Sequence, residues 1–204
     1  MATRRTFLRS LPVAAVVGTA GCSGGDGPLL ADGFERGLEP WTRDAHVGSD
    51  ASDEFRWSVE RTEERAHEGS WSVRVDTEGR HDDGTAWLTR PLDVPADTGR
   101  LRVAVVAWSP SESFDTLRHL VVALRPDPPE TEADFPDPGL NSADVADAPF
   151  GGLREPLHVD AGWREYAATW APETLPSRVH VAVGVSVVCE ADAVHYLDEV
   201  LVTT

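Results

Sequence analysis

From about residue 55 onward the chain alternates apolar and polar residues, and Val179, Val181, Val183, Val185 and Val187 form its clearest stripe. A period of two places every second side chain on one face of an extended strand, whereas a helix needs apolar residues at i+3 and i+4. The same rhythm runs through Phe55, Trp57 and Val59, and through Trp71, Val73 and Val75. Arg164, Tyr166, Ala168 and Trp170 share one face, and Val194 to Val202 closes the chain. Leu101 to Trp108 and Leu120 to Leu124 are apolar on both faces, as central strands of a sandwich would be. Glu60 to His67 has a helical look, but nothing apolar repeats at helical spacing around it. Many strands punctuated by Gly/Pro turns predict an all-β, antiparallel β-sandwich.

One stretch breaks the rhythm. Pro126 to Pro156 holds seven of the fifteen prolines, eight acids and a single arginine, Arg154. It reads as a long structureless loop, either functional or mobile. Asp134, Asp137, Asp144 and Asp147 offer oxygens to a cation, but their spacing is not that of an EF-hand, and a solvated acidic loop is the simpler reading.

Charge narrows the partners. Thirty-five acids face eighteen basic residues, all of them arginine, for a formal net charge of −17. Three of those arginines and none of the acids precede Cys22, so a chain starting there carries −20. Such a surface repels nucleic acids and anionic lipid head groups. Lysine-free, acid-rich surfaces resemble those of extremely halophilic microbes, typically archaea, where molar salt shortens the Debye length to roughly 3 Å.

The first residues read as an address. Thr3-Arg4-Arg5-Thr6-Phe7-Leu8-Arg9 resembles a twin-arginine export signal, whose machinery carries folded proteins. The apolar run Leu11 to Ala20 is too short to span a bilayer as a permanent helix. It ends in Thr19-Ala20-Gly21-Cys22, which resembles a lipobox. The expected organisation is a signal peptide over 1–21, a lipidated Cys22 with a Gly/Ser tether over 22–31, and one sandwich domain over 32–204. The lipid anchor would be the only membrane contact, on the outer face of the cell membrane. With Cys22 lipidated, Cys189 has no partner for a disulfide and reads as a small buried hydrophobe.

No catalytic constellation stands out, so an enzyme is the least favoured class. Glu190-Ala191-Asp192 faintly resembles the E-x-D start of a retaining-glucanase strand, but His195 stands where a second glutamate belongs. Ser109 and Ser186 lack nucleophile-elbow glycines, and the seven histidines include no His-x-x-x-His pair. His81-Asp82-Asp83 is the one local metal-like cluster, equally explained by a polar turn.

Five segments, in order, resemble the jelly-roll carbohydrate-binding modules of the galactose-binding-like type. They are Asp32-Gly33-Phe34-Glu35 with Trp41, Ala66 to Val75, Val106-Ala107-Trp108-Ser109, Gly162 to Tyr166, and Tyr196-Leu197-Asp198-Glu199-Val200. The long insert is a departure from that pattern. The resemblance implies a jelly roll and a structural calcium, Ca²⁺, held by the carbonyls of Gly33 and Trp71 and by Glu35, Glu68 and Asp198. Hard oxygen ligands suit that ion. The alternative is that Arg36 or Arg65 pairs with these acids. The resemblance also places a sugar-stacking aromatic near Trp87, with Trp170 a second candidate. For either residue a core position is at least as good a reading, while Trp57, Trp71, Trp108 and Trp163 are expected in the core.

The function expected is a non-catalytic cell-surface lipoprotein that binds a polysaccharide or surface glycan. The rival is a structural or protein-interaction module with the same fold and no sugar. The charge generates a direct prediction: the melting temperature should rise between tenths-molar and molar salt, as screening removes self-repulsion. A melting temperature flat across that range would contradict a halophilic surface.

Overall fold

The computed structural model describes residues 27–47, 56–78, 83–110, 117–188 and 192–204. Cys22, the export motif and Cys189 lie outside these residues, as do His81 and Glu190. Eleven strands occur among the described residues: β1 (Leu30–Asp32), β2 (Thr42–Val47), β3 (Arg56–Thr62), β4 (Ser72–Glu78), β5 (Asp83–Asp93), β6 (Leu101–Ser109), β7 (Leu117–Arg125), β8 (Gly151–Pro156), β9 (Gly162–Trp170), β10 (Arg178–Val188) and β11 (Ala193–Thr203). They form two antiparallel sheets. One runs β3-β4-β11-β6-β9, with β1 also on β11; the other runs β2-β5-β10-β7-β8. The protein is an antiparallel β-sandwich of jelly-roll type.

The core follows from the stripes. Val179 to Val187 of β10 pack with Leu120, Val122 and Leu124 of β7 and with Ala86 and Leu88 of β5. Facing them from the other sheet are Val73, Val75, Leu101, Val103, Val105, Leu197, Val200 and Val202. All of these are buried, and at about 25 cal/mol per Å² their apolar area is the main term holding the sheets together.

The stretch 126–156 is not structureless. It contains two short 3-10 turns, Glu132–Asp134 and Ser142–Asp144, and it ends in β8, which pairs with β7. Its polar groups are tied to the sheets: Asn141 Nδ2 and Ser142 Oγ donate to the carbonyls of Ala167 and Thr169 on β9. Asp134 is engaged too, accepting from Arg125 Nη1 at 2.5 Å, while Asp137, Asp144 and Asp147 remain exposed. The insert lies over the outer face of the five-stranded sheet, where Phe135 joins Trp87, Val121, Ala123 and Ala182 in a second apolar cluster.

That placement explains Gly184. It pairs with Trp87 and Val121 on the face beneath the insert. A Cβ there would lie 2.2 Å from the Ala86 carbonyl oxygen and 2.6 Å from Trp87 Cβ. Gly184→Val should therefore destabilise the protein by about 1–3 kcal/mol through overpacking, read as a shifted denaturation midpoint. An unshifted midpoint would mean that the Trp87 layer yields freely.

Candidate functional site

The five-stranded sheet gathers polar side chains into one transverse row. His46 on β2 is opposite Thr85 on β5, Thr85 is opposite Ser186 on β10, and Ser186 is opposite His119 on β7. Opposed residues share a face, so all four project outward, away from the core. The neighbouring row is Asp44, Trp87, Gly184, Val121 and Arg154. Arg154 Nη2 donates to Ser186 Oγ at 2.9 Å and to Glu132 Oε1 of the insert at 2.5 Å. One guanidinium thus ties the insert to the row.

Several polar atoms of this face are buried without a hydrogen-bond partner among the described residues: His46 Nδ1, Thr85 Oγ1, Trp87 Nε1 and His119 Nδ1. Such groups cost stability when left unpaired, and a ligand's hydroxyls would satisfy them. Desolvation, assisted by the positive charge of Arg154 and by His158, lowers the His119 pKa to about 4. The ring is therefore neutral at pH 7 and offers one donor and one acceptor. Sequence reasoning did not single out this row. Its four members come from four strands and share no motif; only the register joins them.

The expected stacking residues are corrected. Trp87 is 0% exposed, capped edge-on by Phe135 with ring centroids 5.3 Å apart. Trp170 is 4% exposed, lies in the core, and donates from Nε1 to the Ala148 carbonyl at 2.9 Å. Neither offers a ring face to a sugar. Trp57, Trp71, Trp108 and Trp163, expected in the core, all lie outside it and are partly or openly exposed. A strand tryptophan has a core face only if the register puts it there, and an aromatic on an interior strand can project outward just as well.

The calcium residues meet at a different place. Gly33, Glu35, Glu68 and Asp198 line one cleft of about 490 Å³ on the outer side of the six-stranded sheet, over a floor of Ala104, Val106 and Leu201. A bulge between Asp198 and Leu201, with Glu199 at φ 49°, resets the phase of β11. Val200 and Val202 thus enter the core while Asp198, like Tyr196, projects to the outer side and faces the cleft. The Asp198 carboxylate is 0% exposed and accepts the backbone N–H groups of His67 (2.8 Å), Glu68 (3.3 Å) and Glu199 (2.8 Å). Desolvation nevertheless raises its pKa.

Glu35 Oε1 accepts from the N–H groups of Ser70 and Trp71 at 2.8 and 2.9 Å, and these two bonds lower its pKa. The Glu68 carboxylate is exposed and accepts nothing from the described residues. As a fit for a hard cation the donor chemistry is right. The carboxylates, however, are not drawn together: among the described residues no three acid, His or Cys groups are clustered as a metal site. Nor do the arginine alternatives apply. Arg65 stacks on Trp108, and the arginine serving this corner is Arg61, which donates to the carbonyls of Phe34 and Glu35 at 2.6 and 2.7 Å.

No known family profile matches the chain, and no curated protein matches it. Solved structures do. A structure described for the promiscuous specificity of carbohydrate-binding modules from the β-sandwich superfamily aligns with TM-score 0.53 and 16% identity, over 84% of this chain and 60% of that one. The enzymatically active domain of tailspike protein 4 from bacteriophage CBA120 aligns with TM-score 0.51 and 12% identity, over 86% of this chain and 21% of that one. The module TmCBM61 in complex with β-1,4-galactotriose gives TM-score 0.48 and 16% identity, over 84% and 93%. At these identities the likeness concerns the fold: a β-sandwich of the kind carbohydrate-binding modules use.

At one end of the sandwich interior, His195 is fully buried and neither ring nitrogen has a hydrogen-bond partner among the described residues. Desolvation, with the Arg118 charge adding, lowers its pKa to about 3. The unfolded chain takes up this proton near pH 6.5 and the folded chain only near 3. Its stabilising share is therefore complete above pH 6.5 and lost as pH falls toward 3, at about 1.4 kcal/mol per unit. His195→Leu should make stability decline less steeply below pH 6.5 in denaturant titrations. An unchanged slope would show that the ring is solvated in the native state.

Proposed function

We propose that this chain is a non-catalytic, cell-surface carbohydrate-binding lipoprotein of a halophile, anchored through Cys22, which binds glycan on the outer face of the five-stranded sheet. The observation that carries the reading is the His46–Thr85–Ser186–His119 row with its unpartnered buried polar atoms. Thr85, Ser186 and the neutral His119 ring bring uncharged donors and acceptors to the row, with the Arg154–Glu132 pair at its side. Neutral donors and acceptors packed into a partly covered face suit sugar hydroxyls better than ions. With Phe135 on Trp87, the apolar ring of that face is already occupied, so recognition rests on hydrogen bonds rather than stacking. That same capping favours the rival reading of an interaction module without sugar.

Thr85→Val separates the two. The change keeps the side chain's shape and removes an oxygen that has no partner among the described residues, so the melting temperature should hold or rise. Calorimetric affinity for β-1,4-galactotriose or xylotriose should fall about tenfold, the equivalent of about 1.4 kcal/mol. No binding by the parent protein to any neutral glycan would leave the interaction-module reading.

Calcium at the Glu35–Glu68–Asp198 cleft belongs to the same proposal; bound there, it would neutralise carboxylates and pin β11 to the 63–71 turn. A chelator should lower the parent's melting temperature, by about 2.7 kcal/mol of lost stability if the ion is at a hundredfold excess over Kd. Asp198→Asn should lower it without chelator and abolish the further response. Identical melting with and without chelator would remove the ion from the account.

A further inference from the structure

The six-stranded sheet carries a row of aromatics on its outer face. Trp163 on β9 is opposite Trp108 on β6, and Trp108 is opposite Tyr196 on β11. Strand spacing near 4.8 Å makes this an aromatic strip about 10 Å long. Trp108 and Tyr196 meet edge-on with centroids 5.4 Å apart. All of it lies outside the core, on the side of the sandwich opposite the polar row. The 63–71 turn runs over the strip, and from it Arg65 lays its guanidinium 3.9 Å from the Trp108 ring centroid and 5.5 Å from that of Tyr196.

Most arginines near this strip are already engaged. Arg74 pairs with Glu64 and Asp76, Arg102 with Glu165, Arg164 with Asp160, and Arg61 serves two carbonyls. Arg65 is exposed, and among the described residues no carboxylate reaches its side chain. A guanidinium held over an indole by cation–π attraction still has its N–H groups to donate. It can then receive a planar oxyanion bidentately while the ring stays stacked. Tyr196 Oη, by contrast, is already committed to Glu64 at 2.9 Å.

We infer that this face is a second binding site, for an acidic sugar residue: its carboxylate or sulfate oxygens on Arg65, its pyranose face against the Trp108–Trp163 strip. The partner class follows from the exposed Arg65 guanidinium, which meets no acid among the described residues, and from the aromatic rings of Trp108 and Trp163 beside it. The site shares no residue with the polar row and does not depend on it.

The test uses the full chain at one fixed salt concentration, with trigalacturonate, a sulfated galactose trisaccharide and neutral β-1,4-galactotriose as probes, read by calorimetry and indole fluorescence. At least one acidic probe should bind and perturb tryptophan emission; which of the two binds identifies the oxyanion as carboxylate or sulfate. Arg65→Gln should weaken that binding at least tenfold with the melting temperature retained, and Arg65→Lys should restore only part of it. Trp163→Phe gives a second variant that keeps an aromatic ring while reducing the platform, and should weaken binding several-fold. Thr85→Val should leave acidic-sugar binding unchanged. Failure of both acidic probes to bind, or binding indifferent to Arg65→Gln, overturns the inference. Neutral-sugar binding lost in Thr85→Val but not in Arg65→Gln would then leave the polar-row reading standing alone.

Discussion

Burial of the five-stranded sheet on both sides is the constraint from which the rest of the architecture follows. Its inner face meets the valine and leucine layer of the other sheet, and its outer face is partly roofed by the 126–156 insert. β10 shows what this demands of sequence. Val179 to Val187 fill the core side at every odd position, while Ala182, Gly184 and Ser186 on the other side are small enough for Trp87 and the insert to sit down. Phe135 supplies the apolar contact, and the Arg154–Glu132 and Arg125–Asp134 pairs fix the insert's direction. Buried or half-buried pairs of this kind are better at specifying geometry than at adding stability.

This roof also divides the sheet's outer face. Over Trp87 the surface is closed and apolar. Alongside it, the buried Thr85 and His119 and the half-buried His46 carry polar atoms that no described residue satisfies, while Ser186 is held by Arg154 and Glu132. Polar side chains line that part of the face, and the Trp87 ring is covered by Phe135. The aromatic surface that a strand-rich sugar binder would use instead lies on the opposite sheet, at Trp108 and Trp163.

Most of the sandwich was legible in the sequence because period two is a strong signal where only one face is apolar. The strands read from Val179 to Val187, Leu101 to Trp108, Leu120 to Leu124 and Val194 to Val202 all match strands of the fold. β5 was not legible: Ala86, Trp87 and Leu88 are consecutive apolar residues, since the insert covers the side that would otherwise be polar. The insert itself misled through its prolines and acids, which suggest a solvated loop, although its Asn141 and Ser142 side chains are bonded to β9 and β8. Site residues were less legible still. The resemblance to carbohydrate-binding modules brought Gly33, Glu35, Glu68 and Asp198 to one cleft, yet it assigned the wrong tryptophans to the surface. Periodicity shows which residues share a face, and it does not show which face looks at water. The bulge at Asp198–Leu201 is a local instance, since one extra residue moved half of β11 into the opposite phase.

The claim that tests the account most directly is that ligand meets the polar row and leaves the insert seated. Heteronuclear NMR of the full chain titrated with β-1,4-galactotriose measures it. The account predicts shift changes concentrated at Thr85, Ser186 and the His46 and His119 rings, with the Phe135 ring signals unmoved. Changes confined to residues away from that row, or a displaced Phe135, would contradict it.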